Sequence, residues 1–333
     1  MHKPITILLL LLLLWPASCG AWTPLSGGAL SIAGDPIDRI WQLFKTNLER
    51  DTPDTFDIKL LIRGELGGEE ALMSAVRRGR ITMGSFTVSA MSSIVPEFSL
   101  VMAPYMFRSY EELDFVLDHY LSEPFWRMAI DRGLYILGWL DGGWINLYAK
   151  DPIIRPDDLV SYPMRAWQVP TSHLFFETLG ADIVGMPFPD LIPSLQTGLV
   201  RGSEIDPMTY DGIGMAEHAP HYVLTQHAYN TGVFAVNKMW FDSLKESERA
   251  AIVAAVPDKR IARALLRDGV RKYYESMLAQ GAIIHQLTDA ERAQWAEASL
   301  PTHDALLEQL GTRARALYDI IQDGKLAFAE INR

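Results

Sequence analysis

The chain has 333 residues, 49% of them hydrophobic, with 41 acidic and 30 basic side chains, a net charge of −11 and a single cysteine. Such an acidic balance excludes a nucleic-acid binder, which needs a basic footprint to neutralise phosphates; one cysteine excludes an intramolecular disulfide, an iron–sulfur cluster or a Cys-rich zinc site. The length suits roughly two domains of ordinary size.

The N-terminus reads as an address. His2 and Lys3 precede Ile5-Thr6-Ile7 and an unbroken aliphatic run from Leu8 to Leu14. The run is too short for the roughly 20 residues that span a bilayer and fits a secretory signal over residues 1–18. It ends in Ala17-Ser18-Cys19, which resembles the lipobox of bacterial lipoproteins, where the cysteine is lipidated. Pro16 stands where that motif usually has leucine, and an ordinary signal cut after Ala21 is the alternative. Residues 19–28 then read as a small-residue linker tethering a globular body.

Leu30 to Ala33 reads as a short buried strand. Asp35 and Pro36 cap and open a helix in which Ile37, Ile40, Trp41 and Phe44 recur at helical spacing. A strand over 56–62, a helix from Gly67 through Val76 and a strand over 81–86 follow, the rhythm of a sheet covered by helices. Helices are expected over 110–119 and 124–131, strands over 134–140 and 146–149, a capped turn over 155–159 and a strand over 164–167. Ser172 to Gly180 and 190–199 read as helices. Short strands follow after Gly202, over 222–225 and over 232–236. From about Asp242 the chain is helical, with Thr288-Asp289-Ala290-Glu291 as a capping box. The strands cluster before and after about residue 143, which predicts two α/β lobes with a ligand cleft between them. The expected division is residues 29–142 with about 232–260 as the first lobe, and 143–231 with about 261–333 as the second.

Catalytic signatures are absent: no GxSxG, P-loop, GxGxxG or HExxH occurs. His218, His221 and His227 read as surface histidines, because Pro220 breaks any helix that would align them. Asp157 and Asp158 read as a helix cap after Pro156, and Asp51 to Asp54 as a helix-ending turn. The expectation is a binding protein without catalysis, cofactor or metal.

The segment from Met164 to Tyr210 carries the most specific signal. Met164-Arg165, Pro170 to Ser172, Leu179-Gly180-Ala181, Met186-Pro187-Phe188, Leu195-Gln196-Thr197-Gly198-Leu199-Val200, Gly202 and Glu204 follow one another in order. They resemble the substrate-binding proteins of TRAP transporters, the dicarboxylate-binding DctP-like family. Gly79 to Met83, Pro96-Glu97-Phe98, Ala103-Pro104-Tyr105-Met106-Phe107 and Asn237-Lys238 with Trp240 agree with it. The resemblance runs over most of residues 30–300. It implies a periplasmic binding-protein fold of type II kind, two α/β lobes bridged by a long helix and ending in a helical C-terminus. It also implies a periplasmic, monomeric protein that hands a small organic acid to a small and a large membrane subunit; on the lipobox reading, a lipidated Cys19 anchors it.

In that family an arginine clamps the substrate carboxylate, and the matching residue is Arg165. A planar guanidinium fork suits a carboxylate in a dry cleft; the competing reading pairs Arg165 with Asp157 or Asp158. Two family contacts are altered. Ile145 stands where many members have a second arginine, and Ile205 where many have asparagine. With one arginine, a doubly charged ligand leaves a charge uncompensated in a closed cleft, which is costly. The expected ligand is therefore a monocarboxylate with an apolar or aromatic body; the alternatives are C4-dicarboxylate binding, or a ligand-sensing receptor subunit using the same fold. Ser85, Thr87, Trp144, Trp167, Asp206, Tyr210 and Asn230 join the candidate lining by their positions at strand ends. Asp206 has two readings, a cap for the helix at Pro207 or a partner for an ammonium group.

Overall fold

The computed structural model describes residues 22–332; the expected signal over 1–18 and Cys19 lie outside them. In chain order the elements are β1 (Thr23–Gly28), α1 (Pro36–Asp51), β2 (Phe56–Leu61), α2 (Glu69–Arg77), β3 (Met83–Thr87) and α3 (Val88–Ser92). A 3-10 segment (Pro96–Met102), α4 (Tyr110–Val116) and α5 (Ser122–Ile130) lead into β4 (Leu134–Ala149). Then come β5 (Pro163–Ala166), α6 (Pro170–Thr178), β6 (Asp182–Gly185), α7 (Leu191–Thr197), β7 (Gly202–Ile205), α8 (Pro207–Gly212) and β8 (His221–Asn237). The chain ends in α9 (Lys238–Ser243), α10 (Glu246–Ala255), α11 (Lys259–Arg267), α12 (Val270–Ala279), β9 (Ile283–His285), α13 (Asp289–Leu310) and α14 (Thr312–Ile331). No described helix is long and apolar enough to cross a membrane.

The strands lie in the order β2-β1-β3-β8-β4-β7-β5-β6, with β9 beside the start of β8. β4 and β8 are antiparallel partners from end to end and tie the two halves together. The second half of β8 pairs with β3, and the second half of β4 with β7. β1, β2 and β3 therefore build one lobe and β5, β6 and β7 the other, each lobe parallel apart from the shared pair.

The expected linker is instead β1, and the expected strand over 30–33 is exposed coil holding one bridge, Leu30 to Arg63. The small residues mark close packing, not looseness. A Cβ on Gly27 would lie 2.3 Å from the Trp41 ring, and one on Gly28 2.3 Å from Leu72 Cδ1. Glycine lets α1 and α2 press onto the strand.

Four short strands were expected where two long ones run. Gly142-Gly143 looks like a break but is a register shift inside β4. A Cβ on Gly142 would lie 2.5 Å from the Asn230 carbonyl oxygen, and Gly143 has φ +94°. Only glycine carries the ladder through such a bulge.

Local signals otherwise decide the helices. Asp35 accepts the Asp38 N–H at the start of α1, Thr288 and Glu291 form the box at α13, and Gly198 ends α7 with φ +78°. α13 bridges the lobes: Trp295 packs with Phe175 and Phe176 in the second, while Leu306 and Leu307 join the core of the first. The C-terminal stretch is shared between lobes. α12 packs on α8, but α11 lies on β4 and α1, and α14 packs against α4 with Leu317 and Ile321 in the first-lobe core.

Candidate functional site

The parallel strands of the second lobe end facing the first lobe, and Arg165 sits one residue from the end of β5. Alternation along the strand sends Met164 and Ala166 into the core with Phe175 and Phe176 and Arg165 to the opposite face. There its Nε and Nη2 both donate to the Met186 carbonyl oxygen at 3.3 Å, and the guanidinium carbon lies 5.8 Å from the Phe188 ring centroid. Arg165 is 5% exposed, yet no ion pair among the described residues includes it. Burial pushes its pKa down, against the opposite pull of Tyr148 and Glu204. Asp158 instead accepts the Ile154 and Arg155 N–H groups as a cap. A guanidinium has five donors, and Nη1 has no partner among the described residues. The arrangement is a buried cation with part of its fork unused.

Trp167 follows on the same side. Its N–H donates to Ser172 Oγ at 2.8 Å and its indole N–H to the Glu204 carbonyl at 2.9 Å. The ring packs against the cores of both lobes, so it fills the space between them. Ile205, at the end of β7, is buried beside Tyr148 and Tyr210. Thr87, at the end of β3 across the cleft, donates to Glu69 at 2.7 Å and accepts the Ala90 N–H to cap α3.

Ile145 and Trp144 part company. Ile145 lies opposite Ala228 and Trp144 opposite Tyr229 in the β4–β8 ladder, and cross-strand partners share a face. Ile145 is fully buried beside a niche of about 10 Å³ that also takes in Thr171, Glu204 and His227. Trp144 packs on Tyr229 and Tyr110 on the other face. Of the remaining candidates, Asp206, Tyr210 and Ser85 are committed elsewhere. Asp206 accepts the Thr209 N–H at 2.9 Å and caps α8, and burial raises its pKa. Tyr210 donates to the Ala219 carbonyl inside the second-lobe core, and Ser85 accepts the Trp41 indole N–H at 3.0 Å. Asn230 is buried with Oδ1 unpartnered.

The sequence reading missed the pairing of Glu204 with His227. His227 is not at the surface: it is 1% exposed, stacks on Phe175 at 4.5 Å, and its Nε2 meets Glu204 Oε2 at 2.8 Å. Glu204, the acid whose charge acts on Arg165, is thus turned to a histidine. Thr225-Gln226 before His227 and Asn230-Thr231 soon after it gave the sequence little sign of its burial. Thr171, with a buried hydroxyl that finds no partner, and Phe188 were also missed as site residues.

The family model for bacterial extracellular solute-binding protein family 7, DctP, matches residues 31–310. A solute-binding protein of Chromohalobacter salexigens is 25% identical over 261 residues, 78% of each chain. The C4-dicarboxylate-binding periplasmic protein DctP of Rhodobacter capsulatus is 26% identical over 276 residues, 82% of this chain and 83% of that one. Among solved structures, a TRAP periplasmic solute-binding protein from Chromohalobacter salexigens with bound D-glucuronate superposes with a TM-score of 0.84 at 24% identity, covering 90% of this chain and 99% of the other. One from Sulfitobacter with bound β-D-galacturonate gives 0.84 at 21%, covering 90% and 100%. The two-lobed fold, the ordered motifs around Arg165 and the match over residues 31–310 lead to one conclusion: the chain belongs to bacterial extracellular solute-binding protein family 7, the DctP family.

Proposed function

We propose that this protein is the periplasmic solute-binding subunit of a TRAP transporter and that Arg165 clamps the carboxylate of a small organic acid between the lobes. The observation that carries this reading is a buried guanidinium with no counter-ion and an unused Nη1. A bound carboxylate supplies the missing charge, and a charge-assisted fork is among the strongest contacts a dry cleft offers. The ligand is a monocarboxylate with an apolar or aromatic body. Ile145 and Ile205 replace polar family contacts, the Phe188 ring lies beside the guanidinium, and Trp167 adds a ring between the lobes. Glucuronate and galacturonate, bound by the two solved relatives, likewise carry one carboxylate.

Ligand that touches both lobes stabilises the closed form only as far as it prefers that form. The closed form then docks on the small and large membrane subunits, with the protein acting as a monomer held near the membrane by a lipid on Cys19. The test is mass spectrometry of copurifying ligand, followed by thermal-shift screening of aromatic and aliphatic monocarboxylates, sugar acids and C4-dicarboxylates. Strong stabilisation by dicarboxylates alone refutes the ligand class; an Arg165→Ala protein that binds as tightly as the parent refutes the clamp.

A further inference from the structure

On the face of β4 and β8 away from Ile145 lies a cavity of about 300 Å³, a size at the lower end for small-molecule sites. Tyr110 and Trp144 wall it from the first lobe and the crossing strands; Pro207 and Tyr274 wall it from α8 and α12. Val270 forms part of its floor, and Gln226, Arg267 and Arg271 reach its edge.

The polar groups around this space divide into used and unused. Arg267 is used: it holds Asp114 at 2.7 Å and Asp141 at 2.8 Å, and lies 4.2 Å above the Tyr110 ring. Its charge is matched, and it fixes the Tyr110 ring as a wall. Gln226 is half used. Its Oε1 accepts from Arg292 at 2.7 Å, which leaves its NH₂ unpartnered, and its backbone sits at φ +47°. A non-glycine residue in that region costs about 1–3 kcal/mol; Gln226 falls at the register shift between β4 and β8, where its N–H donates to Asn146 Oδ1 at 3.0 Å. The Tyr110 and Tyr274 hydroxyls find no hydrogen-bond partner among the described residues. Burial raises both pKa values, that of Tyr274 to about 12, so both are protonated donors at neutral pH. Arg271 meets only Glu275, at 3.9 Å, with its side chain 85% exposed.

Three donors without a partner among the described residues, two phenol hydroxyls and an amide NH₂, thus stand beside flat apolar walls, with the exposed Arg271 guanidinium, paired at 3.9 Å with Glu275, at the rim. A purely apolar guest leaves the donors unmatched, and donors together with the Arg271 guanidinium suit an anion. We infer that this cavity is a second binding site, separate from the cleft at Arg165, for a small organic anion with a flat apolar body, its carboxylate turned to Arg271 and its ring between Trp144 and Tyr274. Because its walls come from both lobes, occupancy depends on the angle between them, and by linkage a guest here alters affinity in the cleft.

The test uses indole-3-acetate as probe on the full mature chain, with binding followed by calorimetry. Val270→Trp fills the cavity from α12, and Arg271→Glu reverses the charge at an exposed position that does not threaten folding. Because the probe is of the ligand class proposed for the cleft, the readings are made in the Arg165→Ala background, where uptake in the cleft is removed. The expected result there is saturable uptake, weakened about tenfold or more by either added substitution, as for loss of a charge-assisted contact. Two outcomes overturn the inference: no uptake by Arg165→Ala at millimolar probe, or uptake that Arg271→Glu leaves unweakened. Failure of the Arg165 clamp shows separately, as parent-like affinity of Arg165→Ala for the copurifying cleft ligand, and leaves the Arg271 and Val270 readings standing.

Discussion

Replacing Arg165 by Met separates binding from stability, because the two respond with different magnitudes. In the ligand-free protein the substitution removes a buried cation that has no counter-ion. It also removes two hydrogen bonds of 3.3 Å to the Met186 carbonyl and the contact with the Phe188 ring. An acceptor left unpaired costs about 1–3 kcal/mol, and the ring contact contributes about 0.5–1 kcal/mol. Against these stands relief of the desolvation of the ion, several kcal/mol in effective terms. The contributions oppose each other, so ligand-free stability moves by less than about 2 kcal/mol in either direction. In the complex nothing offsets the loss. Removing one partner of a buried, hydrogen-bonded charge pair costs about 2–5 kcal/mol, roughly 30- to 5,000-fold in affinity. Urea unfolding of ligand-free protein measures the first effect, and calorimetric titration with the parent's ligand the second. Parent-like affinity in Arg165→Met refutes the clamp. A ligand-free loss above about 4 kcal/mol, a size reserved for major structural damage, shows that the cation is structural.

Three further outcomes are expected. Gly27→Ala drives a methyl group into the Trp41 ring at 2.3 Å and destabilises by about 1–3 kcal/mol, the usual cost of overpacking; a change within about 0.5 kcal/mol in denaturant melts contradicts the tight β1–α1 contact. Arg267→Ala strips the cation from Asp141, which is buried and also bonded by Tyr229, and costs about 3–5 kcal/mol; adding Asp141→Asn recovers much of it, and a double-mutant cycle without coupling rejects the pair. For Asp118, burial alone would raise the carboxyl, but hydrogen bonds and charge from Arg263 and Lys259 outweigh it and hold the pKa below its ordinary value. Its contribution is therefore complete above the unfolded value of about 3.9 and lost as pH falls through the lower folded one. The parent should lose more stability between pH 5 and pH 3 than Asp118→Asn does; equal slopes in unfolding free energy against pH dispose of the assignment.

The sequence by itself determined what is local. Caps at Asp35, Thr288 and Asp158 need only the next few residues, and Gly198 ends its helix by its own φ. The ordered motifs from Met164 to Tyr210 identified the family and singled out Arg165 before any contact was known. Strand breaks and side-chain faces were not local matters. Gly142-Gly143 signals a turn to its neighbours in sequence, yet the Asn230 carbonyl on the facing strand makes it a bulge within one continuous β4. Glycines at 27 and 28 look like linker until Trp41 and Leu72 press on them. Adjacent Trp144 and Ile145 take opposite faces by ordinary alternation, and what each face packs against decides which cavity each one lines. His227 reaches Glu204 across 23 positions and the intervening strand β4. Propensity, capping and motif order are written in short-range chemistry and can be read from it. Register, facing and counter-ion choice depend on residues far away in the chain, and only the packed structure brings those together.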